Sequence, residues 1–181
     1  MAKKKVRIAI IGVGNMGSQH IGSLLANKDC ELVAVCDSDP TRLEVAKARG
    51  DFALYADHKK LFKDKICDAV VIATPHYDHT TIGIEALNSG YHVLVEKPLT
   101  LNIKDAEFLH KLAKINNINL MVGHLLLFHP AIIKIKELLN AGKIGNLQYM
   151  YSNRLNLGKI REEENVFWSF APHDISIFQY I

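Results

Sequence analysis

The sequence has 181 residues, 49% of them hydrophobic and 23% charged, a composition that supports a buried core without staples and excludes disordered and fibrous classes. Twenty-two lysines and arginines against nineteen acids leave a formal net charge of +3, too small and too mixed for a nucleic-acid-binding domain. Cys30, Cys36 and Cys67 are odd in number and lack a Cys-x-x-Cys spacing, so neither a disulfide framework nor a zinc site is indicated, and a reducing cytoplasm is the expected setting.

Lys3, Lys4 and Lys5 read as a solvated N-terminus rather than an export signal, because Arg7 interrupts the apolar run that follows and Gly12, Gly14 and Gly17 come directly after it. Short apolar runs at residues 6–11, 32–36, 68–73, 91–95 and 118–122 have the character of strands buried on both faces, and a short extra strand is expected near 52–55. Helical periodicity lies between them. Gly17, Ile21, Leu24 and Leu25 share one face of a first helix, and Ile103, Ala106, Leu109 and Ala113 repeat the pattern later. This alternation predicts an α/β fold built on a doubly wound parallel sheet. The longest apolar region, 120–133, is broken by Gly123, His124, His129 and Pro130, short of the ~20 residues that cross a bilayer, so no membrane association is expected.

The pattern changes near residue 123. Pro130 can open a helix whose apolar face is Ala131, Ile132, Ile135, Leu138 and Leu139, with Gly142 after its end. Beyond Gly145, Leu147, Tyr149, Tyr151, Asn153, Leu155 and Leu157 alternate with more polar residues, the period of a half-exposed strand in an antiparallel sheet. A first domain over 1–123 and the beginning of a second over 124–181 are therefore expected, the second incomplete because one strand and a helix cannot bury their own apolar faces.

Gly12-Val13-Gly14-Asn15-Met16-Gly17 is a G-x-G-x-x-G at the end of the first strand and the start of the first helix. In a Rossmann-type domain the three glycines serve the tight turn, the approach of a pyrophosphate and helix–strand packing, and the helix N-terminus offers unpaired N–H groups to the phosphates. A glycine-rich turn without a ligand is the plainer alternative. Asp37 follows the second strand, twenty residues after Gly17, where a carboxylate accepts hydrogen bonds from the ribose hydroxyls of NAD. No arginine immediately follows it, although Arg42 one helical turn on keeps NADP possible. The alternative for Asp37 is a cap on the helix that begins near Pro40.

Ala73-Thr74-Pro75 and Glu96-Lys97-Pro98 each follow a strand directly, at the carboxyl edge where open α/β sheets bind ligands, with a surface Glu-Lys pair in a turn as the plainer alternative for Glu96 and Lys97. With the glycine motif, Asp37, His79 four residues beyond Pro75, and Gly142-x-x-Gly145, the sequence resembles the glucose-fructose oxidoreductase, inositol dehydrogenase and rhizopine catabolism family of NAD(P)-dependent sugar and polyol dehydrogenases. The resemblance implies that Lys97 acts on the reacting hydroxyl or its proton relay. It also implies that Ala73, Thr74, Pro75, His79 and Glu96 join the glycine segment and Asp37 around the cofactor. Family members are longer, with a C-terminal open sheet that holds substrate and makes homo-oligomer contacts, so a fragment is expected here.

Ala171-Pro172-His173-Asp174 resembles the family segment with the catalytic histidine, which makes His173 a candidate acid or base. The alternative is a packed histidine at a helix start. Many relatives have an aspartate four residues earlier, where this chain has Ser169. The stretch 151–158 resembles the subgroup acting on sugar uronates and implies Arg154 and Asn156 as substrate contacts. His124 and His129 have no third ligand spaced to join them in a metal site, and Glu162, Glu163 and Glu164 read as a solvated loop. The expected activity is oxidation of a hydroxyl of a sugar, sugar nucleotide or polyol. The rivals are a dinucleotide-binding module without catalysis and one half of a heteromeric dehydrogenase.

Overall fold

Six short strands and five helices alternate through the first two thirds of the chain in the computed structural model, which describes residues 4–155 and 165–181. The strands are β1 (Val6–Ile11), β2 (Cys30–Cys36), β3 (Ala53–Tyr55), β4 (Ala69–Ile72), β5 (His92–Val95) and β6 (Leu120–Val122). The helices among them are α1 (Asn15–Ala26), α2 (Pro40–Lys47), α3 (His58–Asp64), α4 (His79–Asn88) and α5 (Ile103–Ile115). All the pairings are parallel, in the order β3-β2-β1-β4-β5-β6. The chain steps outward from β1 in one direction through β3, then returns to build β4 to β6 on the other side. That reversal leaves a crevice above the carboxyl ends of β1 and β4.

Strand alternation divides the core into two layers. Ile10, Val35 and Val71 pack with Ile21 of α1 and with Leu43 and Ala46 of α2. Their neighbours Ile11, Cys36 and Ile72 face the other way, against Leu61 and Phe62 of α3, Ala86 and Leu87 of α4, and Leu109 and Ala113 of α5. Strands buried on both faces must be continuously apolar, which is why the runs rather than an alternation mark them in the sequence. The three cysteines are buried. Burial pushes the Cys36 thiol up to about 12, so it packs as a small hydrophobe rather than reacting.

Contacts divide the chain into two units, Met1–Gly123 and His124–Ile181. The second holds a 3-10 turn (Leu125–Phe128) against which α6 (Pro130–Asn140) and α7 (Val166–Tyr180) both pack. His129 caps α6 by accepting from the Ala131 amide at 3.2 Å, and Gly142 beyond its end has φ +66°. The strand expected from the alternation after Gly145 is corrected: the described part, 145–155, pairs with nothing as a strand. A strand needs a ladder partner, and none lies among the described residues of this unit. Tyr149, Tyr151 and Leu155 are correspondingly exposed. Among the described residues no helix is long and apolar enough to cross a membrane.

Candidate functional site

The glycine turn passes directly over the end of β4. Gly12 has φ +90°, and a Cβ on it would stand 2.7 Å from the Ala73 carbonyl carbon and oxygen and the Thr74 nitrogen. Its amide donates to the Cys36 carbonyl at 2.8 Å, and the Ala73 amide donates to Ile11 at 2.8 Å, so the ends of β1, β2 and β4 are laced together. Gly17 lets α1 close onto the turn, since a Cβ there would lie 1.9 Å from the Gly12 oxygen. Gly14 has a different situation: the nearest atom to its Cβ position is the Arg42 guanidinium at 4.0 Å. Gly14 is the N-cap of α1 and supplies no capping side chain, and the first turn holds no acid. The amides of Asn15 and Met16 therefore stand at a positive helix end uncapped by any side chain, the arrangement that receives an anion.

Asp37 at the end of β2 leans over this turn, only 7% exposed. One carboxylate oxygen accepts from the Val13 amide at 2.7 Å and the other from the Asp39 amide at 2.9 Å. Each oxygen keeps a further acceptor position, about four for the whole group. The capping alternative is settled locally, because Asp39 is the residue that caps α2, accepting from Thr41 at 2.8 Å. Arg42 lies 3.7 Å from Asp37 and 3.4 Å from Asp39. A hollow of about 150 Å³ beside them is lined by Val13, Ser18, Ile21, Asp39 and Arg42 among others.

At the ends of β4 and β5 the structure places Thr74, Glu96 and Lys97. The Thr74 hydroxyl is buried and has no hydrogen-bond partner among the described residues. Glu96 is 6% exposed; its Oε1 lies 2.7 Å from His20 Nε2 on α1, and its Oε2 accepts from the Lys97 amide at 3.3 Å. Burial alone raises the Glu96 carboxyl. The His20 hydrogen bond, the nearby charge and the Lys97 amide outweigh it, and the group falls below the usual glutamate range. The Lys97–Pro98 peptide is cis.

His79 is held between these strand-end loops. The resemblance places it among the cofactor contacts, but its ring is 1% exposed, with Nδ1 2.7 Å from the Pro98 carbonyl and Nε2 3.0 Å from the Thr74 carbonyl. Each ring nitrogen faces a backbone carbonyl, and the neutral ring donates to one of them. His79 thereby braces the two strand-end loops against each other.

In the second unit, Arg154 Nε donates to Asp174 at 2.6 Å, and Ser152 donates to the other oxygen of that carboxylate at 2.8 Å. The Arg154 bond chiefly, partly opposed by burial and aided by Ser152, holds the Asp174 carboxyl below the usual range. His173 sits inside α7, not at its start, one turn beyond Ser169; Pro172 beside it breaks the regular helix bonding. Asn156 and the three glutamates 162–164 lie outside the described residues. Among the described residues no group of three His, Cys, Asp or Glu is placed to hold a metal.

Residues 6–124 match the model of an oxidoreductase family described by its NAD-binding Rossmann fold. The chain belongs to the glucose-fructose oxidoreductase, inositol dehydrogenase and rhizopine catabolism family. It is 34% identical over 150 residues to a 1-carboxy-3-chloro-3,4-dihydroxycyclohexa-1,5-diene dehydrogenase of Comamonas testosteroni, covering 81% of this chain and 37% of that one. It is 30% identical over 184 residues to the NAD-dependent scyllo-inositol 2-dehydrogenase of Bacillus subtilis, covering 98% and 54% respectively. The crystal structure of the WlbA dehydrogenase of Bordetella pertussis, in complex with NADH and UDP-GlcNAcA, superposes with a TM-score of 0.74 at 26% identity, over 78% of this chain and 44% of that one. The chain thus spans about half or less of the length of these relatives.

Within this family member, two residues, one in each unit, carry no assignment from the sequence. His20 is a polar residue on the face of α1 that also presents Gly17, Ile21 and Leu24. A titratable group on an apolar face is the signal that could have found it. Asp174 stands beside His173 in the sequence, yet only the fold shows that it engages Arg154.

Proposed function

We propose that this chain is the dinucleotide-binding part, with some of the substrate-binding part, of an NAD-dependent dehydrogenase that oxidises a hydroxyl of a sugar, sugar nucleotide or polyol. The observation that carries the reading is the buried Asp37 carboxylate, locked by the Val13 amide over an α1 N-terminus whose N-cap, Gly14, offers no capping side chain. The residues present fit the cofactor: Gly14 leaves room for phosphates, the first-turn amides of Asn15 and Met16 face them, and the Thr74 hydroxyl, without a hydrogen-bond partner among the described residues, lies on the opposite flank from Asp37.

A nicotinamide dinucleotide bound there supplies the hydride acceptor. Asp37 receives the ribose hydroxyls with its remaining lone pairs and disfavours a 2′-phosphate, so NAD is preferred; Arg42, already close to two carboxylates, only partly offsets that repulsion. Asp37 at the end of β2 would hold the adenosine half, and Thr74, Glu96 and Lys97 at the ends of β4 and β5 would flank the nicotinamide half. Lys97 takes the proton that leaves the substrate hydroxyl as its carbon loses hydride, and returns it in the reverse reaction. His173 is the second proton-handling group, and Arg154, oriented by Asp174, meets an anionic substituent of the substrate. The exposed Tyr149, Tyr151 and Leu155 belong to a surface that is covered by assembly with another copy, and a reducing cytoplasm is the setting for the buried thiols.

Calorimetry with NADH and NADPH on the chain, and turnover of a panel of polyols and sugars by a full-length version, test the reading. We expect NADH to bind more tightly than NADPH, and Lys97→Ala to lower turnover far more than NADH affinity. Binding without turnover across the panel favours a module without catalysis, for which Ser169 is the motivating residue.

A further inference from the structure

The contact between His20 and Glu96 joins parts of the fold that the sheet keeps apart. His20 belongs to α1, which rises from β1 and whose N-terminus is the phosphate end of the site. Glu96 ends β5, and β4 lies between those two strands. The imidazole bridges that gap at 2.7 Å. The partner is no surface carboxylate: the Glu96 side chain is 8% exposed and that of His20 24%. The Glu96 carboxylate is also boxed in from the third side, since a Cβ on Gly123 at the end of β6 would stand 3.0 Å from its Oε2.

An ionised carboxylate in such a place persists only with a strong donor, and its position is set by that donor. The second oxygen then accepts from the backbone amide of Lys97. A chain of contacts therefore runs from α1 through His20 and Glu96 to the main chain that bears the Lys97 amine. Building on the proposed function, we propose that His20 is a positioning residue that fixes the Glu96-Lys97 segment at the nicotinamide end of the cofactor site. His20 itself does not touch the reacting atoms. Its removal leaves the phosphate and adenosine end intact, because the Gly12–Gly17 turn and Asp37 are held by bonds in which His20 takes no part.

The test compares two ligands on the intact chain: NADH, and ADP-ribose, which has both phosphates and the adenosine but no nicotinamide. Two polar variants differ in reach. In His20→Gln the side-chain amide extends to the place of the ring Nε2, whereas in His20→Asn it stops near that of Nδ1. We expect His20→Asn to weaken NADH about 10-fold, to keep ADP-ribose affinity within about 2-fold, and to alter the fluorescence of bound NADH. His20→Gln should recover most of the NADH affinity. Equal loss of both ligands in His20→Asn, no loss of either, or an equal effect of the two variants overturns the proposal. If His20→Asn does not fold, Glu96→Gln, which keeps a hydrogen-bonding group and removes the charge, must show the same selective loss or the proposal fails. A folded wild-type chain that binds neither ligand overturns the proposed function itself, a result distinct from the others.

Discussion

Asp37 and Thr74 mark the two flanks of the site and answer differently to mutation. Asp37 has both oxygens bonded to main-chain amides before any ligand arrives, so Asp37→Ala strands the Val13 and Asp39 amides and, under the proposed function, the ribose hydroxyls. The expected loss in NADH affinity is about 1–3 kcal/mol, read by calorimetry. The Thr74 hydroxyl has no partner among the described residues. Thr74→Val should leave the stability of the free chain unchanged or raised by about 1 kcal/mol in urea unfolding, while NADH affinity falls. Loss of stability without loss of affinity would assign Thr74 to packing. The place of Asp37 at the end of β2 was legible in the sequence because it is fixed by distance from a motif. His20 and His79 were not, since each acts on a partner more than fifteen residues away that only the folded sheet brings close.

Glycines of one motif separate at the scale of the element. At Gly17 an added methyl runs into the Gly12 carbonyl, which is backbone, so Gly17→Ala must push α1 off the turn; we expect a loss of about 3 kcal/mol together with loss of binding. At Gly14 the methyl meets only the Arg42 side chain at 4.0 Å, so Gly14→Ala should hold its stability within about 1 kcal/mol and still weaken NADH by covering the approach to the amides. The sheet has an anchor of its own at the opposite edge. Arg7 on β1 grips Asp68, just before β4, through its side chain at 2.6 and 3.2 Å and its amide at 2.9 Å. These bonds hold the Asp68 carboxyl down to about 2. A carboxyl lowered on folding from an ordinary value of about 4 stabilises the fold fully above that value. The contribution disappears as pH falls toward about 2. The stability gap between wild type and Asp68→Asn in urea titrations should therefore be constant near neutrality and close through that acid window. A gap that stays constant down to pH 2 would contradict the pairing.

Across the whole molecule, the doubly wound half was readable because its central strands β1, β2, β4 and β5 bury apolar residues on both faces, so local pattern and final environment agree. The second unit was readable only in part. Helix α6 announced itself through Pro130 and Gly142, but the alternation from Leu147 onward describes a strand whose ladder partner is not among the described residues, and alternation alone does not make a ladder. Each unit shows the same division: in the first, the positions of the glycine turn, Asp37 and the Glu96-Lys97 segment at strand ends follow from motif and pattern, whereas in the second the bond from Arg154 to Asp174 depends on tertiary packing. The central claim is that a dinucleotide lies across the carboxyl ends of β2, β1, β4 and β5. Amide NMR of the labelled chain during titration with NADH tests it most directly. The account predicts saturable shifts concentrated at Gly12 to Gly17, Asp37, Thr74 and Lys97. A folded chain whose amides at those positions do not move at millimolar NADH would contradict it.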